Sequence, residues 1–137
     1  STKDGITTEY TKVDEAVKYV NETGVCALAI MVGTAHGHYK QAPKLAIDRI
    51  KEIADATDVA LVLHGGSGVG DDQIKEAIKA GITKINFGTD VCCSFLNTVF
   101  DTSRDLIAVD LFMKDAIKAV SAFATEKIKL LGAENKA

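Results

Sequence analysis

Three short segments of the chain carry the residue types that bind metals and phosphates. They are "GTAHGHYK" at 33–40, "LVLHGGSGVG" at 61–70 and "GITKINFGTD" at 81–90. Neutral imidazoles are good ligands for a divalent ion such as zinc. His36 and His64 are therefore candidate metal ligands, the alternative being that each satisfies a buried hydrogen bond. His38 is two residues from His36 and could complete a triad of ligands, but it is the weakest candidate of the three histidines.

The second segment also has the composition of a phosphate-binding loop. Its four glycines between residues 65 and 70 let backbone N–H groups approach an anion without a Cβ in the way. A helix beginning near Asp71 adds the positive end of its dipole. Ser67 can donate its hydroxyl, and Lys40 can supply a full charge. The alternative is a turn that needs glycine for its dihedral angles.

Helices and strands alternate around these segments. The apolar periodicity predicts amphipathic helices over 11–24, 44–58 and 72–81, and strands buried on both faces over 25–33, 59–66 and 82–89. The residues expected to face the core are Val13, Ala16, Val17, Val20, Leu45, Ile50 and Ile53. Asp71 or Asp72 is the expected cap of the third helix. The chain from Val91 onward is predicted to be helical, with a polar break at 101–105.

This alternation predicts parallel βαβ units, from either a (β/α)₈ barrel or an open doubly wound sheet. In both architectures ligands gather at the carboxyl ends of the strands. All three candidate segments follow predicted strands, so we expect them to meet at one edge of the sheet.

The amino-acid composition argues against some functional classes for this chain. A chain of 137 residues with 47% hydrophobic content suits one ordinary domain. The net charge of −3 and the lack of a basic stripe argue against nucleic-acid binding, and no apolar run approaches the roughly 18 residues of a membrane span. The first ten residues are polar and do not resemble a secretory signal, although the chain opens on Ser-Thr rather than Met.

The cysteine pattern favours a reducing, cytoplasmic environment. The chain has three cysteines, an odd number, and Cys92 and Cys93 are adjacent, which is not typical of a disulfide framework. Either could be a nucleophile or a metal ligand, but no histidine lies near them in the sequence. We interpret them as small, partly buried residues at the start of the last helical region.

Taken in this order and spacing, the three segments resemble the signature segments of class II, metal-dependent fructose- and tagatose-bisphosphate aldolases. The resemblance extends through the flanking helices and the tail "EKIKLLGAENKA". It implies an α/β fold, the (β/α)₈ TIM barrel, which typically has about 250 residues. By this resemblance residues 1–137 are the C-terminal part of the barrel without an internal domain boundary, and residues 1–10 belong to a mobile active-site loop. The expected partners are an N-terminal half chain, a sugar phosphate and further copies of the whole enzyme in a dimer or tetramer.

The resemblance also implies roles for individual residues. His36 and His64 would be two of three Zn²⁺ ligands, the third lying in the other half of the barrel. A monovalent cation (Na⁺ or K⁺) often assists phosphate binding in this family. The main acid–base residue would also lie in the other half, with Glu9 as a candidate loop acid. The residues implied to hold dihydroxyacetone phosphate are Gly37, Lys40, Gly65, Gly66, Ser67, Asn86, Phe87, Gly88 and Thr89.

Two departures from the family pattern bear on the substrate. Gly88 stands where fructose-type members have aspartate and tagatose-type members have a small residue. Cys92 stands where many members have a basic residue that holds the second phosphate. By this resemblance Gly88 favours a tagatose-type over a fructose-type bisphosphate. Cys92 argues against a bisphosphate and leaves a ketose monophosphate or another phosphorylated sugar acid as alternatives. Two other classes stay open: a sugar-phosphate isomerase or phosphatase, and a non-catalytic phosphate-binding α/β module.

Overall fold

The structure is a computed structural model that describes residues 9–35, 37 and 43–136. Its helices and strands alternate as the periodicity predicts. In chain order they are α1 (Val13–Thr23), β1 (Ala27–Ala29), α2 (Ile47–Ala56), β2 (Ala60–Leu63), α3 (Asp71–Ala80), β3 (Ile82–Ile85), α4 (Gly88–Asp101) and α5 (Val109–Leu130). Contacts divide the chain into two compact units, Ser1–Phe87 and Gly88–Ala137.

The first unit contains a parallel sheet in the order β1-β2-β3. Leu28 of β1 lies opposite Leu61 of β2, and Leu63 lies opposite Ile85 of β3. The helices α1, α2 and α3 pack against one another in the same sequential order. Strands that follow one another in a single direction form a stretch of barrel wall, whereas a doubly wound sheet reverses its order at a switch point. The α/β class is confirmed, and the arrangement is that of a partial TIM barrel.

The core of this unit lies between the sheet and the helices. Its largest fully buried side chains are Val32, Ile50, Ile53, Leu61, Leu63 and Ile74. Each such side chain contributes about 1.5–3 kcal/mol by leaving water. The predicted inward positions are confirmed for Ile50 and Ile53 of α2 and for Leu45, which lies just before this helix, since all three are buried. The predicted end of α1 is also confirmed, because the N–H of Gly24 donates to the carbonyl of Val20 at 2.9 Å.

Two predicted details of these elements were wrong. The outer strands are not buried on both faces, because Ala27 and Ala29 of β1 and Lys84 of β3 are exposed. The prediction is confirmed for β2, whose residues 61–63 are buried and which, within the described residues, has a strand on either side. Neither Asp71 nor Asp72 caps α3: the helix already begins at Asp71, and the N-cap position belongs to Gly70, which has no side-chain cap.

The third strand is also shorter than predicted. It ends at Ile85 rather than Thr89, and α4 begins at Gly88. Gly88 and Thr89 therefore lie in the first turn of a helix, and Cys92 and Cys93 in its second turn. Cys92 is exposed and Cys93 is less so.

The second unit is a hairpin of α4 and α5. The predicted polar break separates these helices and spans residues 102–108. Among the described residues of this unit, Ala116 is the buried apolar residue, while Phe100, Ile107 and Val109 expose 76%, 94% and 75% of their surface. Neither α5 nor any other helix of the described ranges is long and apolar enough to cross a membrane.

Candidate functional site

The loop that follows β2 carries the candidate residues His64 to Gly70. His64 directly follows Leu63, the last residue of β2, and is exposed to solvent. Gly66 and Ser67 are buried, Ser67 with only 5% of its surface exposed. The loop ends where α3 begins, so the N–H groups of the first helical turn lie at its far end. An anion seated there would meet N–H donors and the positive end of the helix dipole.

This loop is joined to the end of β3 by backbone hydrogen bonds. The N–H of Gly66 donates to the carbonyl of Asn86 at 3.0 Å, and the N–H of Asn86 donates to the carbonyl of Leu63 at 3.0 Å. A Cβ at position 66 would lie 2.6 Å from Cγ2 of Ile85 and 3.0 Å from the carbonyl oxygen of Asn86. Glycine is therefore required at position 66 for close approach. The glycine-rich loop after β2 and the segment after β3, two of the candidate segments of the sequence, are therefore in direct contact.

Lys84, which is not among the predicted site residues, places a positive charge beside Asn86. The ammonium of Lys84 donates a hydrogen bond to Oδ1 of Asn86, and the contact is exposed. Side chains two apart in a strand lie on the same face, which is why Lys84 reaches Asn86 from within β3. The period-two spacing of positions 84 and 86 was a usable signal, but residues 82–89 were predicted only as a strand. Lys84 adds a positive charge to the carboxyl edge of the sheet.

The loop that follows β1 is described only in part. Val32 and Gly33 are buried, and Gly37 is exposed with a φ of +103°. His36, His38 and Lys40 lie outside the described residues. The pairing of His36 with His64 and the charge of Lys40 therefore stay predictions.

The candidate loop acid Glu9 is exposed, and the segment after it is anchored at the end of β1. The N–H of Thr11 donates to the carbonyl of Met31 at 2.9 Å, and the Thr11 hydroxyl accepts from the N–H of Met31 at 2.8 Å. The Arg49 guanidinium donates to the carbonyl of Thr11 at 2.9 Å. Glu9 thus lies two residues from an anchor point beyond the carboxyl end of β1. Residues 1–8 of the predicted loop lie outside the described part.

The described donor set is compatible with a metal but does not form a full site. His64 supplies one exposed imidazole at the carboxyl edge of the sheet. Among residues 9–35, 37 and 43–136, no group of three or more His, Cys, Asp or Glu side chains could hold an ion. Phe87 directly follows Asn86 in the first unit. Gly88 and Thr89 belong to the second unit, where they lie in the first turn of α4.

The sequence of the chain is similar to that of known aldolases. A family model described as "Fructose-bisphosphate aldolase class-II" matches residues 1–136. A 6-phospho-5-dehydro-2-deoxy-D-gluconate aldolase of Shouchella clausii is 39% identical over 98% of this chain and 48% of its own length. A sulfofructosephosphate aldolase of Alkalicoccus urumqiensis is 38% identical over 99% of this chain and 50% of its own length.

A solved structure gives the same match in three dimensions. The crystal structure of the YdjI aldolase from Escherichia coli K12 superposes with a TM-score of 0.82 at 38% identity, and the match covers 94% of this chain and 47% of that one. The chain spans about half the length of the relatives it matches.

Proposed function

Because this chain belongs to the class II fructose-bisphosphate aldolase family, we propose that it supplies the carboxyl half of the barrel of a metal-dependent aldolase. The reaction is the reversible cleavage of a ketose phosphate to dihydroxyacetone phosphate and an aldehyde. The observation that carries this proposal is the junction of the glycine-rich loop with Asn86 at the carboxyl edge of a parallel sheet. The same edge presents the exposed His64.

The phosphate of the substrate is held at this junction. The donors are backbone N–H groups of the glycine-rich loop other than those of Gly66 and Val69, which bond to backbone carbonyls, together with the first turn of α3 and the Ser67 hydroxyl. Lys40 and Lys84 supply positive charge, and Gly37 and Phe87 line the same edge. A phosphate fixed in this way holds the reacting carbon atoms at a defined distance from the metal ligands. A monovalent cation, Na⁺ or K⁺, adds to the neutralisation of the phosphate.

His36 and His64 would hold Zn²⁺, with a third histidine from the other half of the barrel. When bound, zinc supplies Lewis-acid stabilisation of negative charge on the substrate oxygens. The protein's part is to offer imidazole nitrogens as ligands and to keep the substrate phosphate in place. Proton transfer is performed by a carboxylate of the other half, with Glu9 as the loop acid of this chain.

The substrate carries an anionic group smaller or less charged than a second phosphate. Support comes from Cys92, which has no positive charge to offer, and from the small Gly88. The relatives from Shouchella clausii and Alkalicoccus urumqiensis are named for a phosphorylated sugar acid and a sulfonated sugar phosphate. A phosphorylated sugar acid or a ketose monophosphate fits this chain better than fructose bisphosphate, and tagatose bisphosphate is the intermediate case.

The partner is an N-terminal half that continues the sheet. Within the described residues, β1 and β3 each pair with β2 alone, so each has one edge on which a further parallel strand can add. The exposed apolar residues of the α4–α5 hairpin are suited to further contacts in the whole enzyme, which we propose is a dimer or tetramer.

Reconstitution tests the proposal. The chain is co-purified with the N-terminal half of the Escherichia coli relative, and aldol cleavage of several ketose phosphates is followed by enzymatic reduction of the dihydroxyacetone phosphate released. We expect turnover that is lost with a chelator and restored by Zn²⁺, and a drop of at least about 100-fold for His64→Ala. Robust turnover by the 137-residue chain alone, or metal-independent turnover by the pair, would contradict the proposal.

A further inference from the structure

Gln73, in the first turn of α3, joins two distant segments of the chain through its side-chain amide. Its Nε2 donates to the carbonyl of Pro43 at 2.8 Å, and its Oε1 accepts from the N–H of Leu45 at 2.7 Å. The orientation of the amide follows from the partners, because a carbonyl can only accept and an N–H can only donate. The side chain therefore pairs with residues 43 and 45 much as a neighbouring strand would.

The segment that Gln73 holds is also fixed from its other side. The N–H of Ala46 donates to the carbonyl of Val32 at 2.9 Å. A Cβ on Gly33 would lie 2.5 Å from the carbonyl oxygen of Lys44, so the two backbones are in close contact. Leu45 is buried with 4% of its surface exposed. Residues 43–46 thus form a bridge between the end of β1 and the helix that starts behind the glycine-rich loop.

We propose that Gln73 is a positioning residue of the site, an inference that rests on the proposed aldolase function. It fixes residues 43–46, and through them the end of β1 at Val32 and Gly33, relative to the glycine-rich loop after β2. The reaction needs groups from both loops at one substrate, and a misplacement of about 1 Å can lower the rate about 100-fold. Gln73 itself acts on backbone atoms of Pro43 and Leu45 and not on the substrate.

The test uses the chain assembled with the N-terminal half of the Escherichia coli relative. Gln73→Leu removes both hydrogen bonds and keeps much of the volume. Thr57→Val is the matched control, since it removes the bond from the Thr57 hydroxyl to the carbonyl of Ile53 at the C-terminal end of α2. We expect Gln73→Leu to lower kcat/KM by at least about tenfold, mainly through kcat, and Thr57→Val to change it less than about twofold. Binding of inorganic phosphate should fall by less than kcat/KM in Gln73→Leu, because the donors of the glycine-rich loop are unaltered, and should change less than about twofold in Thr57→Val.

Gln73→Glu tests the positioning role through the pH dependence of kcat/KM, which a general loss of stability would not change in the same way. Its carboxylate still accepts from the N–H of Leu45, but it faces the carbonyl of Pro43 without a proton to donate. A protonated carboxyl restores the donor, so the deficit in kcat/KM relative to the parent should shrink as the pH falls, whereas the deficit of Gln73→Leu should not. This variant also keeps the test valid if Gln73→Leu does not fold.

The outcomes separate the two proposals. An active parent with Gln73 variants that match Thr57→Val, or a Gln73→Glu profile parallel to the parent, overturns the positioning role and leaves the aldolase function in place. An inactive parent assembly, with phosphate binding absent, overturns both. Loss of phosphate binding as large as the loss of kcat/KM would also contradict the positioning role, because it would place the defect in the glycine-rich loop itself.

Discussion

The two compact units of this chain differ sharply in how they use their apolar residues. In the unit up to Phe87, the described strands and helices bury large aliphatic side chains such as Leu63 and Ile74 completely. In the α4–α5 hairpin, Ala116 is the buried apolar residue of the described part, and Phe100 and Ile107 are largely exposed. The first unit therefore has a core that supports a site, whereas the second has an apolar surface without a core of its own. Hydrophobic content alone does not show this difference, because burial depends on what packs against each residue.

The largest expected effect is a difference in unfolding free energy between two Ile→Ala substitutions, one in each unit. Ile74→Ala removes a side chain with 0% exposure from α3 and should cost about 2–5 kcal/mol of unfolding free energy. Ile117→Ala changes a residue of α5 with 60% exposure and should cost less than about 0.5 kcal/mol in the isolated chain. Urea unfolding of both variants measures the difference. Equal losses would show that the hairpin has a core comparable to that of the first unit.

The same pair of variants sharpens the contrast when measured in the assembled enzyme. If the exposed face of the hairpin is covered there, Ile117→Ala should become more costly, while the cost of Ile74→Ala should stay the same. An Ile117→Ala cost that does not change on assembly would show that α5 is not part of an interface at this position.

An intermediate effect is expected within the glycine-rich loop. Gly66→Ala places a methyl group 2.6 Å from Cγ2 of Ile85, and overpacking of this kind typically costs about 1–3 kcal/mol. Gly70→Ala is the matched control, because a Cβ at position 70 meets nothing within 4 Å, and it should cost less than about 1 kcal/mol. We expect Gly66→Ala also to weaken phosphate binding, since the junction with Asn86 must shift. Similar results for the two glycines would mean that the junction adapts and does not define the site.

The smallest expected effect concerns Lys84. Lys84→Met removes the charge beside Asn86 and should weaken binding of inorganic phosphate about three- to tenfold, with little change in stability because the contact is exposed. Lys79→Met, on an exposed position in the last turn of α3, is the control and should leave phosphate binding unchanged. Titration at two salt concentrations checks the charge effect, which should weaken as salt rises. Equal phosphate affinities for the two variants would remove Lys84 from the site.

The junction of Gly66 with Asn86 was predictable because parallel strands bring their carboxyl ends to one edge. That argument needs only the order and type of the elements, and the apolar periodicity supplied both. The end of β3 was harder to predict, because "NFGTD" is compatible with a strand end or a helix start, and tertiary packing decides between them. Lys84 and Gln73 were not selected, since a lysine in a strand and a glutamine in a helix are ordinary until their partners are known.

The sequence by itself determined the alternation of elements, the inward faces of the helices and the family to which the three segments belong. These properties depend on residues close in the chain, through periodicity and motif spacing. Only the tertiary structure decided which backbone atoms Gln73 holds, where Lys84 lies and which apolar residues of the hairpin are exposed. Those properties depend on contacts between residues such as Pro43 and Gln73, which are 30 positions apart, and on hydrogen bonds made after the chain has folded.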